Sequence, residues 1–370
     1  MMKRIVAVVT ILILSLICIN QSFIESDSTN QQIIVDSGEI TATIPSIFVM
    51  TGSTADELIE EFQNLEDGKI AFISGSSLDT VMYSDQLKLK NIIESGIPMI
   101  IKGDTSIIST VGVSIVLNPN ADCNAMYCDP ITGTTYCFGV EGAGYQSIKY
   151  ASEWLQDKMD STSDFAQADI DFNDCIIYQE LKICDDNREH FIATGMYSKI
   201  GSSNGMTYYA VQYDCETISS HDDWRTADIT VSCDIDDLNV LQHLIDYGPD
   251  STSGSTTTSV SVSMNAGTDL SVGSTIGWSY TMPSTMIHNQ CDKANDLFKI
   301  WFDVDEHTAD STVRAKPGAI IGISSNGGVY SSKDVYTVQF EGPYYDHLFP
   351  WDPQTELRSF TLECNVQFLA

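Results

Sequence analysis

A two-residue alternation over residues 255–282 constrains the fold of this chain more than any other feature of its sequence. Apolar side chains occupy even positions, whereas the odd positions are nearly all Ser, Thr or Gly. The stretch 265–269, Asn-Ala-Gly-Thr-Asp, interrupts the alternation with turn-forming residues. Because successive side chains of a β-strand point to opposite faces, the pattern predicts a hairpin with one apolar and one polar face. The apolar positions are Val260, Val262, Met264, Leu270, Val272, Ile276, Trp278, Tyr280 and Met282.

The polar face of this hairpin carries no charge outside the turn, in a chain where 19% of residues are charged. A strand pair that crosses a membrane as part of a barrel has this composition, with one face toward lipid and the other toward a wet lumen. Such strands need about 9–11 residues each. Soluble sheets show the same alternation, with the apolar face on a core. The pattern therefore leaves two interpretations open, a membrane-inserting stem or a Ser/Thr-rich hairpin of an extracellular sandwich.

The N-terminus predicts export. Lys3 and Arg4 precede an apolar run over residues 5–19, and the sequence turns polar at Asn20. A basic segment followed by a short apolar core is the layout of a secretory signal. We therefore expect a signal peptide over 1–22, with an uncleaved membrane anchor as the alternative, then a polar tether over 23–39 and a secreted or extracellular protein.

The remaining sequence predicts an α+β multidomain fold. Over 40–118, short apolar strands alternate with amphipathic helices, which predicts a small N-terminal α/β domain with a parallel, Rossmann-like sheet. Residues 119–168 contain Cys and Gly without periodicity and predict a linker with a short helix at Gln146 to Met159. From 169 to 370 the chain predicts a mainly antiparallel β-sandwich that includes the Ser/Thr-rich hairpin.

Charge and cysteine content limit the possible partners. A formal net charge of −33 excludes nucleic acid, because phosphate contacts need Lys and Arg clusters. Nine cysteines follow the signal segment, and in an exported protein the default expectation is disulfides, with one thiol left over. The candidates are Cys123, Cys128, Cys137, Cys175, Cys184, Cys215, Cys233, Cys291 and Cys364.

The sequence does not suggest an enzyme. HExxH does not occur, and we expect no catalytic residues and no cofactor. Asp169, Asp171 and Asp174 supply oxygen ligands of the kind that calcium takes from loops. The Gly and terminal Glu of an EF-hand are missing there, and a solvated acidic surface explains the cluster as well.

The order of features in the C-terminal half resembles the leukocidin and haemolysin family of β-barrel pore-forming toxins. The resemblance covers roughly Asp171 to Phe368. It consists of a strand rich in Asp, Thr and Val, a chain reversal, the alternating stem, an amphipathic return and three later segments. These lie at Asp228–Asp234, Asp246–Pro249, Ser251–Met282, Phe298–Phe302, Pro317–Ile323, Val335–Phe340 and Arg358–Phe368.

The resemblance implies a sandwich cap, a stem folded against it in the soluble monomer, and a homo-oligomeric ring whose stems form one barrel in a target membrane. The partners implied are membrane lipid or a cell-surface receptor. Tyr344, Tyr345 and Trp351 are the aromatic candidates for a membrane rim, where Tyr and Trp concentrate, although a packed turn is the alternative. The competing function is a non-enzymatic, adhesin-like binding protein whose hairpin stays on the sandwich.

Overall fold

The computed structural model describes most of the chain from residue 47 onward. The described residues are 34–36, 41–43, 47–52, 54–75, 78, 86–103, 105, 108, 110–160, 175–184, 189–219, 224–235, 242–263, 275–305, 311–324, 329–345 and 353–369. The predicted signal segment 1–22 and most of the predicted tether lie outside them.

Three helices are present in these residues: α1 (Ala55–Gln63), α2 (Gln86–Glu94) and α3 (Gln146–Asp160). Thr54 caps α1, because its hydroxyl accepts a hydrogen bond from the backbone N–H of Glu57, as N-cap residues do. None of the described helices is long and apolar enough to cross a membrane.

Strands make up most of the fold. The first ten are β1 (Ile34–Asp36), β2 (Thr41–Thr43), β3 (Ile47–Val49), β4 (Ile70–Ser74), β5 (Met99–Lys102), β6 (Ile115–Leu117), β7 (Cys123–Cys128), β8 (Thr135–Glu141), β9 (Cys175–Ile183) and β10 (Glu189–Ser203). The others are β11 (Met206–Ser219), β12 (Arg225–Asp234), β13 (Gln242–Gly248), β14 (Thr252–Ser263), β15 (Thr275–Asn289), β16 (Leu297–Val304), β17 (Thr312–Ala315), β18 (Gly318–Ser324), β19 (Val329–Tyr345) and β20 (Pro353–Leu369).

Two sheets form the body of the protein. The large sheet has the order β13-β18-β11-β10-β9-β8-β7-β5-β4-β3, with β17 also pairing β11. The seven-stranded sheet has the order β14-β15-β16-β12-β19-β20-β6. One hydrophobic core contains buried side chains from both sheets, so the predicted, mainly antiparallel β-sandwich is present.

The predicted Rossmann-like domain is not a separate unit. Strands β3, β4 and β5 are parallel, and α1 and α2 connect them as the periodicity predicts. However, β5 pairs antiparallel with β7, so these strands are one end of the large sheet. Strand β6, which falls within the predicted parallel domain of 40–118, pairs antiparallel with β20 in the seven-stranded sheet instead. The α/β segment is therefore an extension of the sandwich and shares its core.

The predicted linker after residue 118 is also corrected by the structure. Strands β7 and β8 form a hairpin that joins β5 to β9 within the large sheet. Phe138 and Val140 of β8 are buried with Ile148 and Leu155 of α3 in a second, smaller core on the other face of that sheet. The apolar residues of this segment are thus core-forming, and only α3 agrees with the prediction.

A buried carboxylate joins the two sheets at the centre of the sandwich. Asp334 of β19 accepts hydrogen bonds from the hydroxyls of Tyr178 at 2.7 Å, Tyr197 at 2.5 Å and Tyr213 at 3.3 Å, which come from β9, β10 and β11. Asp334 and the three tyrosines are fully buried. Burial raises the pKa of Asp334, while the hydrogen bonds from the tyrosines oppose that shift. Because buried polar groups need partners, this cluster fixes how one sheet sits on the other.

Candidate functional site

The predicted hairpin is formed by β14 and β15 at the edge of the seven-stranded sheet. Their register pairs Val260 with Trp278 and Val262 with Ile276 on one face. On the other face, Ser259 pairs with Ser279. The connection over 264–274 lies outside the described residues, and with it the predicted positions Met264, Leu270 and Val272.

The apolar face of the hairpin is docked on the sandwich core. Val260 is 1% exposed and Val262 is 0% exposed, and Tyr280 and Met282 are also buried. Ile276 and Trp278 are half-buried against the same core. Burial raises the pKa of the Tyr280 phenol. The apolar positions that the alternation predicts thus lie together on one surface wherever the structure describes them.

The polar face of the hairpin is turned to solvent. Ser259, Ser261, Gly277, Ser279 and Thr281 are all exposed. Between Ser251 and Met282 the sequence has a single charged residue, Asp269. The outward surface of the hairpin therefore consists of small, uncharged groups.

Two glycines in the large sheet are part of the surface that receives the hairpin. A Cβ added to Gly318 of β18 would lie 2.3 Å from the Trp278 ring. A Cβ added to Gly248 of β13 would lie 3.0 Å from Cγ1 of Val260. The absence of side chains at both positions lets the hairpin lie directly on the backbone of the large sheet.

Backbone pairing ties the hairpin to its own sheet only near its base. In the described residues, β14 pairs with β15 alone, and the register of β15 with β16 runs from Thr285 to Asn289. One further backbone bond joins Asp305 N–H to the carbonyl of Ser284. We call residues 257–263 and 275–281 the distal hairpin. No described ladder pair connects the distal hairpin to a strand other than its own partner.

A few hydrogen bonds tether the distal hairpin at Asp246 and Lys316, and one of them runs from the Ser263 hydroxyl to Oδ2 of Asp246 at 3.3 Å. The backbone N–H of Ser263 donates to Oδ2 of Asp246 in β13 at 2.6 Å. The indole N–H of Trp278 donates to the carbonyl of Lys316 at 2.9 Å. Asp246 also forms an ion pair with Lys293 at 3.1 Å. The distal hairpin is held mainly by side-chain packing, with these few polar contacts at its margins.

Sequence reasoning identified the hairpin but missed the surface that receives it. Gly318 lies in the Pro317–Ile323 segment that contributes to the family resemblance, and Asp246 and Gly248 lie in the chain reversal. Nothing in those residues shows on its own which distant segment they contact. Their role depends on a pairing of two sheets that local periodicity does not encode.

The predicted disulfides are not supported. All nine cysteines are free thiols, and seven of them are buried. Burial raises the pKa of Cys123 and of Cys137 to about 12 and that of Cys291 to about 11. Since the thiolate is the reactive form, these side chains behave as small core residues.

The other predicted sites are only partly described. Tyr344 and Tyr345 end β19 and pair with Gln354 and Pro353 of β20, while Trp351 lies outside the described residues. Asp169, Asp171 and Asp174 of the calcium prediction also lie outside them. Within the part of the chain that is described, no cluster of His, Cys, Asp or Glu has a metal-binding arrangement.

Sixty-eight chains of solved structures match this one, and three of them are compared with it below. The structure is similar to one described as "Pore forming protein", with a TM-score of 0.35 and 11% identity over 53% of this chain and 92% of that chain. It is similar to Clostridium perfringens delta-toxin, with a TM-score of 0.33 and 8% identity over 51% of this chain and 91% of the toxin.

The third is the Clostridium perfringens NetB toxin in the membrane inserted form, with a TM-score of 0.30 and 8% identity over 53% of this chain and 96% of that chain. These matches are pore-forming toxins, as is the family that the sequence resembles. No family model matches the sequence, and no curated protein does. Because TM-scores of this size indicate only remote likeness, the function proposed below is supported by the side chains of this chain.

Proposed function

We propose that this chain is a secreted pore-forming protein that assembles with copies of itself and inserts the β14–β15 hairpin into a target membrane. The proposal rests on how the hairpin is docked on the sandwich. The distal hairpin has an apolar face buried by packing, an uncharged polar face in solvent, and no described backbone ladder to neighbouring strands. Such a segment can leave the sandwich without breaking a central sheet.

The free-energy balance of release supports the proposal. Undocking exposes Val260, Val262, Ile276, Trp278 and Tyr280, which is unfavourable in water at about 25 cal/mol per Å² of apolar area. In a bilayer the same side chains meet hydrocarbon, which is as apolar as the core they leave. The loss on undocking is therefore largely recovered on insertion, and the membrane supplies the driving force.

The hairpin also meets the geometric requirements of a barrel wall. Strand β14 has 12 residues and β15 has 15, against the about 9–11 that a tilted membrane strand needs. Within the described residues, β14 is an edge strand with one unpaired side. Since open strand edges are not stable in lipid, that edge requires the hairpin of a neighbouring copy, which leads to a closed ring.

Vesicle leakage tests this function directly. The chain without the predicted signal 1–22 is expected to release dye from phosphatidylcholine–cholesterol vesicles and to form rings visible by electron microscopy. Val262→Asp should stop leakage because it places a carboxylate on the lipid-facing side. The matched control Ser261→Asp, on the lumen-facing side, should still leak.

The competing function gives the opposite result. If the protein is an adhesin-like sandwich whose hairpin stays docked, no leakage and no ring will appear over a range of lipids and salt concentrations. In that case Val262→Asp will act only by destabilising the monomer, which thermal unfolding followed by circular dichroism will show.

A further inference from the structure

A polar groove lies on the outer face of the seven-stranded sheet, away from the hairpin's docking surface. Along β12, alternate residues Ile229 and Val231 are buried in the core, while Asp228 and Thr230 point outward. The register places Trp301 of β16 beside Thr230, and Gln339 of β19 beside Asp228. These outward side chains line a cavity of about 350 Å³ together with Gln290 and Lys299.

The indole at the side of this groove is held in a fixed orientation. Its N–H donates to Oδ1 of Asp228 at 2.5 Å. Its ring stacks on His288 of β15, with centroids 4.4 Å apart and planes 20° from parallel. Trp301 lies between His288 of β15 and Thr230 of β12 in the sheet, and its indole both stacks on the imidazole and lines the groove. A fixed aromatic wall of this kind loses little conformational entropy when a ligand binds.

The polar groups of the groove are available to a ligand. Within the described part of the chain, the side-chain amides of Gln290 and Gln339 and the ammonium of Lys299 have no protein partner. Each amide both donates and accepts hydrogen bonds, and the Asp228 carboxylate accepts them. The groove thus offers donors and acceptors in alternation beside an apolar ring.

The charge of the groove argues against an anionic ligand. The residues that line the groove include one carboxylate, Asp228, and one ammonium, Lys299, and Asp303, the register partner of Asp228 on β16, adds a carboxylate nearby. This arrangement offers no net positive charge to a phosphate or sulfate. A ligand that matches it is uncharged, has several hydroxyl groups, and presents an apolar C–H face to the indole.

We propose that this groove binds a neutral sugar of a cell-surface glycan. The C–H face of a pyranose ring packs on Trp301, and its hydroxyls bond to Asp228, Gln290 and Gln339. The volume is near the lower end of the roughly 300–1,000 Å³ typical of small-ligand sites, which suits a terminal sugar. Sugar binding in this groove does not depend on pore formation. Only the role of that binding in bringing the protein to a target cell rests on the proposed function.

A glycan array probed with the labelled chain lacking 1–22 tests this assignment, with neutral, sialylated and sulfated oligosaccharides side by side. We expect binding to neutral glycans, confirmed by calorimetric titration with the best-bound oligosaccharide. Gln339→Ala should weaken that binding about three- to tenfold through lost hydrogen bonds, and Trp301→Ala by at least about tenfold. The matched control is Asn365→Ala, which removes an exposed side-chain amide from β20, outside the groove.

Three results would overturn the assignment: no neutral glycan bound, binding confined to sulfated or sialylated glycans, or unchanged affinity in both Gln339→Ala and Trp301→Ala. Gln339 lies on the outer face, so Gln339→Ala keeps the test valid should Trp301→Ala fail to fold, which thermal unfolding will reveal. Vesicle leakage measured on the same wild-type preparation keeps the two proposals separate. A positive array without leakage removes the pore proposal alone, and leakage with a negative array removes the sugar site alone.

Discussion

Replacing Trp278 by Ala is expected to loosen the docked hairpin without disturbing the sandwich beneath it. The indole packs directly on Gly318 and donates a hydrogen bond to the carbonyl of Lys316. Loss of that bond costs about 1 kcal/mol. Loss of a half-buried indole from the apolar contact costs about 1–2 kcal/mol more. The docking equilibrium should therefore shift by about 2–3 kcal/mol, or about 30- to 150-fold.

Thiol labelling measures this shift in the absence of membrane. In a Cys128→Ser/Cys291→Ser background, which removes the two half-buried thiols, Val262→Cys introduces a thiol at a position that is 0% exposed. A maleimide can reach it only when the hairpin undocks, so its labelling rate is proportional to the undocked population. Adding Trp278→Ala should raise this rate about 30- to 150-fold, and Trp278→Phe, which removes the indole N–H but keeps an aromatic ring, about tenfold or less.

Native thiols in the sandwich core provide the internal control. Cys233 and Cys364 are fully buried in β12 and β20 and can be labelled only if the sandwich itself opens. Their rates, read by peptide mass spectrometry, should not change in Trp278→Ala. Equal acceleration at position 262 and at Cys233 would refute the reasoning, because it would mean that the hairpin is an integral part of the core and opens only with it.

Three further predictions concern the hairpin's tether and the core. Asp246→Ala removes the acceptor of the Ser263 N–H and should raise the rate of thiol labelling in the Val262→Cys background roughly tenfold. An unchanged labelling rate would show that this bond does not hold the hairpin. Asp334→Ala should destabilise the folded protein by about 3–5 kcal/mol in urea unfolding, since it removes the shared acceptor of three buried tyrosine hydroxyls and leaves them only their contacts with one another and with Tyr336. A change below about 1 kcal/mol would contradict the role given to the cluster. Burial raises the pKa of Glu180 from about 4.5 to about 8. Because the pKa is higher in the folded state, the Glu180 carboxyl group contributes its full share of stability below pH 4.5. This contribution is lost as the pH rises through 8. The free energy of unfolding should therefore fall by up to about 1.4 kcal/mol per pH unit across this window, and by less in Glu180→Gln. Identical pH profiles of stability for the wild type and Glu180→Gln would contradict the raised pKa of Glu180.

The sequence predicted the elements whose periodicity is local. Alternation of Val260 and Val262 with Ser259 and Ser261 specified the hairpin and its two faces, because a strand repeats every two residues. The helix predicted at Gln146 to Met159 likewise agrees with α3 to within one residue. In each case the signal and the structure it specifies lie within one short segment.

The errors arose where pairing is non-local. Strand β6 joins β20, from the far end of the chain, although it falls within the segment 40–118 that was predicted to form a parallel sheet of its own. Strands β7 and β8 were predicted as a linker because Gly and Cys obscure their apolar pattern, yet Phe138 and Val140 pack on α3. The receiving glycines and the groove around Trp301 depend on contacts between strands distant in sequence, which no single segment specifies.

A disulfide that locks the hairpin to the large sheet tests the central claim most directly. A Cβ at position 248 would lie 3.0 Å from Cγ1 of Val260, with its next contacts at 3.5 Å and beyond. Since Cγ1 is about 1.5 Å from its own Cβ, the two Cβ atoms would be about 4.5 Å apart or less, within disulfide range. Gly248→Cys/Val260→Cys in the Cys128→Ser/Cys291→Ser background therefore joins β13 to β14 when oxidised.

The matched control places the disulfide inside the hairpin. Ser259→Cys/Ser279→Cys joins facing residues of β14 and β15 and leaves the hairpin free to undock as a unit. Dye leakage from vesicles is then measured for both variants with and without a reductant. The locked variant should be silent when oxidised and active when reduced, and the control active in both states. Leakage from the oxidised, locked variant at the rate of the reduced one would contradict the claim that the hairpin must leave the sandwich.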